Sequence, residues 1–257
     1  MNRFKLWLLF CILFFVSVHN VSFGQGSAGA NATIEPRYLI DLPTAGIIPH
    51  GNIGLDIEFF QSGGMLMGFS VGAFNRVLVG ISYGGTNIIG TEKPKWNSSP
   101  GVSVRVRLME ESLLVPAIAA GFSAQGKETH IEQLNRYNIK SPGFYAVASK
   151  NYLAWGFLSF HGGINYSLER DDGDDDINLF AGAEKTLGPF LSLLGEYDLG
   201  MNDSNRDAVG RGRGYLNLGL RASVGNGLML GFVLKDILGN QQNESLANRI
   251  IQLEYVK

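Results

Sequence analysis

His161, Ser159 and Glu184 are the residues of this 257-residue chain whose types come nearest to acid–base or nucleophilic chemistry. Histidine changes charge near neutral pH and can activate a serine when a third group orients it. His161 is the only histidine inside a patterned segment; His50 and His130 lie between segments. No nucleophile motif surrounds it, so an ordinary polar role outweighs a catalytic one, and no catalytic residue is expected. A second cluster, Asp171-Asp172-Gly173-Asp174-Asp175-Asp176, gathers five carboxylates in one loop. Oxygen ligands suit Ca²⁺, but the EF-hand spacing and its closing Glu are missing. A solvated hairpin tip is the expected reading, with no metal and no cofactor. A third group places Arg206, Arg211 and Arg213 beside Asn202, Asp203, Asn205 and Asp207. Arginine grips phosphate or carboxylate in bidentate fashion, but self-pairing with Asp207 on a solvated loop is the simpler expectation.

The elements that must position these residues follow from a period of two. From Tyr215, one face reads Leu216, Leu218, Leu220, Ala222, Val224 and the other Tyr215, Asn217, Gly219, Arg221, Ser223. Strand side chains alternate between faces, so such a segment is apolar on one side and polar or small on the other. About twelve segments repeat this pattern, near 51–61, 64–74, 77–84, 100–109, 114–124, 143–151, 156–169, 177–186, 190–198, 214–224, 228–235 and 249–256. No amphipathic helix of useful length interrupts them. Links after even-numbered segments are short, such as Asn75-Arg76 and Gly225-Asn226-Gly227. Those after odd-numbered segments, around 85–99, 125–142, 170–176, 199–213 and 236–248, are longer and more polar. One rim of tight turns and one of long loops is the habit of outer-membrane barrels. The first hairpin, Gln61 to Gly63, breaks the rule by being short where a long loop belongs.

The expected fold is therefore all-β, a transmembrane antiparallel up-and-down barrel of about twelve strands, with both ends periplasmic. A soluble lipocalin-like binding barrel is the alternative, and the composition of the faces opposes it. The apolar face is Leu, Val, Ile and Phe, with Tyr83, Tyr166, Tyr197 and Tyr255 near strand ends, as in a lipid-facing band with interfacial aromatics. The other face is rich in Gly, Ala and Ser and carries scattered charges. The lumen-facing charged candidates are Asp56, Glu58, Arg105, Arg107, His161, Glu184, Glu196, Asp198, Arg221, Lys235 and Glu254, with Gln252 beside them. Glu196 and Asp198 are expected to face the strand that carries Arg221. Buried charges persist only when paired or hydrated. With Phe60, Leu78, Phe157 and Phe180 also turned inward, a narrow or closed lumen is expected in preference to a wide pore.

Residues 1–24 stand apart. Arg3 and Lys5 precede an apolar run from Leu6 to Val18, and Ser22 and Gly24 lie three and one before Gln25. That is the layout of a cleaved secretory signal. Its loss removes Cys11, the only cysteine, and leaves 19 basic against 23 acidic side chains, a net charge of −4. Such a balance excludes the basic patch of a nucleic-acid binder. Residues 25–50, with Pro36, Pro43 and Pro49, form an expected periplasmic segment that packs beneath or inside a barrel of residues 51–257.

Two stretches exceed generic patterning: IDLPTAGIIPHGN from Ile40, and PAIAAGFSAQG from Pro116 resuming as RYNIKSPGFYAVASKNY at Arg136. With the hairpins NLFAGAEKTLGPFLSLLGEYDLG and GRGYLNLGLRASVGNGL, the mature chain resembles the YjbH-like group of outer-membrane barrel proteins. The resemblance implies a non-enzymatic component that assists exopolysaccharide secretion or envelope assembly, in contact with outer-membrane lipid and with polysaccharide or secretion-system components. It supplies no catalytic residues. The chain is shorter than some members of the group and ends in Tyr255-Val256-Lys257, without the terminal aromatic typical of outer-membrane barrels. The competing expectation is a passive porin-like channel for small solutes.

Overall fold

A computed structural model describes residues 27–32, 34–205, 208–242 and 248–257. The expected signal segment, Cys11, Arg206 and Asp207 lie outside the described residues. Among the described residues fifteen strands occur in chain order. Twelve form the barrel: β1 (Ile53–Phe60), β2 (Gly64–Ala73), β3 (Val77–Thr86), β5 (Gly101–Met109), β6 (Ala117–Ser123), β9 (Gly143–Leu153), β10 (Phe157–Tyr166), β11 (Asn178–Thr186), β12 (Leu191–Asp198), β13 (Tyr215–Gly225), β14 (Leu228–Lys235) and β15 (Asn248–Val256). Each pairs antiparallel with its neighbours, and β1 closes on β15 in the register Asp56↔Glu254 and Glu58↔Gln252. The remaining strands, β4 (Lys95–Trp96), β7 (Lys127–Ile131) and β8 (Arg136–Ile139), belong to long loops.

The barrel is closed because its edges have nowhere else to pair: in hydrocarbon, an unpaired strand edge costs several kcal/mol per orphaned polar group. The outward residues form the lipid-facing band. Leu55, Met67, Phe69, Val79, Ile81 and Val104 are all more than a third exposed, an area of apolar surface that a water-soluble protein of this size does not carry. Aromatics gather at both rims. Phe74, Trp155 and Phe190 lie by the short turns, and Tyr83 stacks on Trp96 at 5.7 Å near the long loops. Together these features define a transmembrane barrel whose short turns share one rim with both ends of the barrel domain; that rim is called periplasmic and the long-loop rim extracellular, after the habit of outer-membrane barrels.

The turns fit the strands' right-handed twist. Phe74 and Asn75, both at φ 54, and Asn226 and Gly227, at φ 51 and 81, sit at the centres of two of the tight hairpins; paired positive φ values make the primed turns that hairpins favour. The short first hairpin has a physical explanation in the next loop. Asn87 donates to the Ser62 carbonyl, while Ile88 and Ile89 donate to that of Gly63. Loop 87–100 therefore covers the rim that the short hairpin leaves open.

Several boundaries differ from the alternation. The segment expected to start at 114 begins at Ala117, because residues 110–116 form a turn closed by Ser112 N–H to the Val115 carbonyl. The one expected to run to 169 stops at Tyr166, where Gly143 and Phe144 both oppose one residue. The hairpin of β7 and β8 inside loop 124–142 was not expected at all. Its four- and five-residue strands are joined by a single 3₁₀ turn, Glu132–Leu134.

Candidate functional site

The lumen is the site, and most of it is occupied by the chain itself. The described residues of the N-terminal segment, 27–32 and 34–50, form a re-entrant hairpin with both feet on the periplasmic rim. At the first foot, Ala30 and Asn31 donate to the carbonyls of Gly188 and Pro189, in the turn between β11 and β12. At the second, Gly51 donates to the Gly72 carbonyl and His50 N–H to Asn75 Oδ1. Between them the chain climbs to a tip at Tyr38–Pro43, closed by Leu39 N–H to the Leu42 carbonyl and Thr44 N–H to that of Arg37.

A backbone inside a lumen has polar groups that must be satisfied, and the lumenal charges do this. Glu196 accepts from the N–H groups of Ile40, Asp41 and Leu42 at 3.0 to 3.2 Å. Ser149 Oγ accepts from Ala45 at 2.9 Å. From the other side, Arg105 donates to the Gly46 carbonyl at 2.8 Å, Arg107 to that of Ala45 at 2.8 Å, and Arg221 to that of Leu39 at 2.7 Å. Arg107 also pairs with Glu35 of the hairpin and with Glu110. The hairpin returns one cation: Arg37 forks onto Asp56 at 2.6 and 2.7 Å, with Glu254 at 3.6 Å.

Apolar packing completes the seat. Leu39 and Ile40 join Phe60, Leu194, Val233 and Ile250 in one cluster, Leu42 and Ala45 join Tyr145, Val147 and Phe180 in a second, and Ile47 and Ile48 join Leu78 and Val256 in a third. Two wall glycines mark the tightest passages. A Cβ on Gly182 would stand 2.3 Å from Leu39 Cδ2, and one on Gly72 2.1 Å from the Ile48 carbonyl oxygen.

The extracellular side is closed by different means. The β7–β8 hairpin folds inward over the tip, and Lys127 at its start lies 2.7 Å from Glu58 and 3.8 Å from Asp41. Lys235 meets the same two carboxylates at 2.8 and 2.7 Å. This four-charge junction joins hairpin, wall and cap. Burial alone would lower the Lys127 ammonium's pKa, but Glu58 and Asp41 beside it raise it above the ordinary lysine value. Further out, fully buried Arg136 contacts Asp172 at 2.5 Å and Asp203 at 2.6 Å, and Lys140 reaches Asp172 at 2.8 Å. Asp174 accepts from the N–H groups of Ser204 and Asn205. The acidic loop is thus a clasp in which Asp171, Asp172 and Asp174 are engaged by protein donors, while Asp175 and Asp176 are exposed as on a solvated tip. Burial works to raise the Asp203 carboxyl, but the hydrogen bonds and charge of Arg136 outweigh it and hold the group below the ordinary aspartate value.

The eleven charged residues selected from the sequence all line the lumen, and two ion pairs form among them, Lys235 with Glu58 and Arg221 with Glu254. Arg221 lies opposite Ser192, not Glu196, and its ionic partner is Glu254 at 2.8 Å. Asp198 accepts from Asn178 and the Gly200 N–H. Glu184 is buried with neither oxygen bonded among the described residues. His161 contacts neither Ser159 nor Glu184: its Nδ1 lies 2.8 Å from Ser149 Oγ, while Ser159 is bonded to Asn151. Because Ser149 also holds the hairpin at Ala45, the His161–Ser149 pair is part of the hairpin's seat. Ser149, Lys127 and Arg136 escaped the sequence reading. Ser149 is on a polar face like many others, and the two cations lie in a loop that gave no period to read.

No family model matches the sequence, and no curated protein matches it. Among solved structures, the chain is similar to the KdgM porin, at 13% identity with a TM-score of 0.53, over 79% of this chain and 98% of that one. It is also similar to the KdgM porin in complex with disordered oligogalacturonate, at 12% identity with a TM-score of 0.50, over 79% and 98%. The shared property at this identity is the twelve-stranded outer-membrane-type barrel.

Proposed function

We propose that the protein is a non-enzymatic outer-membrane barrel whose lumen is a solute path held shut by its own N-terminal hairpin, and that it serves the secretion of an envelope polysaccharide. The observation that carries this reading is the hairpin's topology. Both feet lie on the periplasmic rim, so the hairpin can withdraw as a unit toward the periplasm without threading its end through the barrel. Beside the ion pairs of Glu35, Arg37 and Asp41, its polar anchors are hydrogen bonds between wall side chains and main chain, a type of contact that water or a hydroxyl-rich chain can replace. The similar porin solved in complex with disordered oligogalacturonate supports a saccharide as the class of cargo. The YjbH-like resemblance points to the same class of cargo.

A passive, always-open porin fits less well, because five aliphatic side chains of the hairpin fill the path, each worth about 1.5–3 kcal/mol of burial. The test is planar-bilayer conductance of the intact barrel and of a variant lacking residues 27–48, both checked for heat-dependent gel migration. The intact protein is expected to be silent and the deletion variant to conduct. A conducting wild type, or a folded deletion variant that stays silent, would overturn the gated path. Secreted polysaccharide that is unchanged when the gene is deleted would sink the cargo assignment.

A further inference from the structure

The hairpin tip leaves part of the lumen empty. Between tip and cap lies a cavity of about 120 Å³, room for on the order of ten waters and so for one sugar-sized ring. It exists because the wall there is built of small residues: Gly68 on β2, Gly80 on β3, Ser103 on β5 and Ser123 on β6. Tyr38 reaches it from the tip, half-buried, with Arg105 and Lys127 at 5.2 and 5.9 Å from its ring centre. Gln252, only 7% exposed, belongs to the same lining and holds its Oε1 without a partner among the described residues.

The charge of the lining narrows the ligand. Its cations are Arg37, Lys127 and Lys140, against five carboxylates. Each cation is already engaged, by Asp56, Glu58 and Asp172 respectively, which leaves none to receive an acidic group. Four of the five carboxylates are compensated too: Asp56 by Arg37, Asp41 and Glu58 by Lys235, Glu254 by Arg221. An amine meets a single carboxylate without a cation, Asp198, already hydrogen-bonded to Asn178 and the Gly200 N–H, and no cluster of them to hold it. Serine hydroxyls, the free Gln252 oxygen and carboxylate lone pairs form instead an acceptor-rich surface, suited to a ligand with many O–H donors.

We propose that this cavity binds a neutral, ring-sized polyhydroxylated solute, one pyranose residue, lying against Tyr38 and donating hydroxyls to the Ser103, Ser123 and Gln252 side of the wall. The site rests on the reading of the lumen as a saccharide path and deepens it by naming the charge class. Because Tyr38 belongs to the hairpin tip, the ligand touches the element that closes the path.

The test uses the full barrel in a sugar-free detergent, with saturation-transfer NMR and calorimetric titration. The probes are methyl glucoside (neutral), galacturonate (acidic) and glucosamine (cationic). Methyl glucoside is expected to bind at least tenfold tighter than either charged sugar. Ser103→Phe, which fills the hollow from the wall, is expected to weaken it at least tenfold with heat-dependent migration unchanged. If that variant does not fold, Tyr38→Ala, which leaves the barrel wall intact, carries the same expectation. No binding of methyl glucoside by the wild type, a preference for galacturonate or glucosamine, or wild-type affinity in the folded variant would each overturn the proposal. Binding is read on the closed barrel, so a protein that binds methyl glucoside but stays silent after hairpin deletion refutes the path and leaves the site standing.

Discussion

The two ends of the lumen are closed by opposite physics. The periplasmic hairpin is seated by its main chain, five aliphatic side chains and ion pairs at Glu35, Arg37 and Asp41, many separate contacts spread along the lumen. The extracellular cap is held by charge on charge, with Arg136 at 0% exposure between Asp172 and Asp203. Apolar burial accumulates in small increments and tolerates the loss of any one polar contact. A desolvated ion network does not, because removing one member leaves the others charged and buried. The hairpin should therefore weaken gradually, and the cap should fail at once.

The largest expected effect tests that contrast at the cap. Arg136→Met should cost the cap about 3–5 kcal/mol, seen as lost amide protection across β7 and β8 with barrel migration unchanged. A cap that keeps its protection would mean the network contributes little. At the hairpin, Leu39→Ala should cost about 2–5 kcal/mol of seating and appear as intermittent conductance bursts while the cap stays protected. Ser149→Ala should cost less, about 0.5–1.5 kcal/mol for the neutral hydrogen bond lost from the Ala45 N–H, and should raise burst frequency more modestly. If Ser149→Ala opened the path more than Leu39→Ala, the hairpin would be held by its polar contacts after all.

Acid should separate the two ends without mutation. Asp203's carboxyl is held below its ordinary value, so its contribution to the cap is complete above the unfolded aspartate value, about 3.9, and is lost as pH falls through the lower folded value. Protease sensitivity of loop 199–214 should stay flat from neutral pH down to that range and rise below it. A rise near pH 6 would assign the cap's stability to other groups. The smallest effect belongs to the exposed Lys95–Glu132 pair at 3.2 Å: Lys95→Ala should change cap protection by no more than about 0.5 kcal/mol.

The same contrast explains what could be read from the chain alone. Alternation specifies which face a strand residue takes, so the barrel, its rims and its lumenal charges follow from period and loop length. Alternation does not specify what a lumenal residue meets. Arg105, Arg107 and Arg221 looked like candidates for side-chain pairs, and all three donate to carbonyls of residues 39–46, groups every residue carries and no sequence distinguishes. The hairpin itself left a trace in Leu39, Ile40, Leu42, Ile47 and Ile48, apolar residues between prolines with no strand period. The cap left less, since the partners of Arg136 are 36 and 67 residues away in two other loops.

Amide hydrogen exchange at Ile40, Asp41 and Leu42 tests the closed lumen most directly. With their N–H groups on Glu196 inside the barrel, these three amides should exchange as slowly as the barrel strands. Glu196→Ala should speed them at least tenfold while strand protection and heat-dependent migration are unchanged. Fast exchange in the wild-type protein would place the segment outside the lumen and contradict the account.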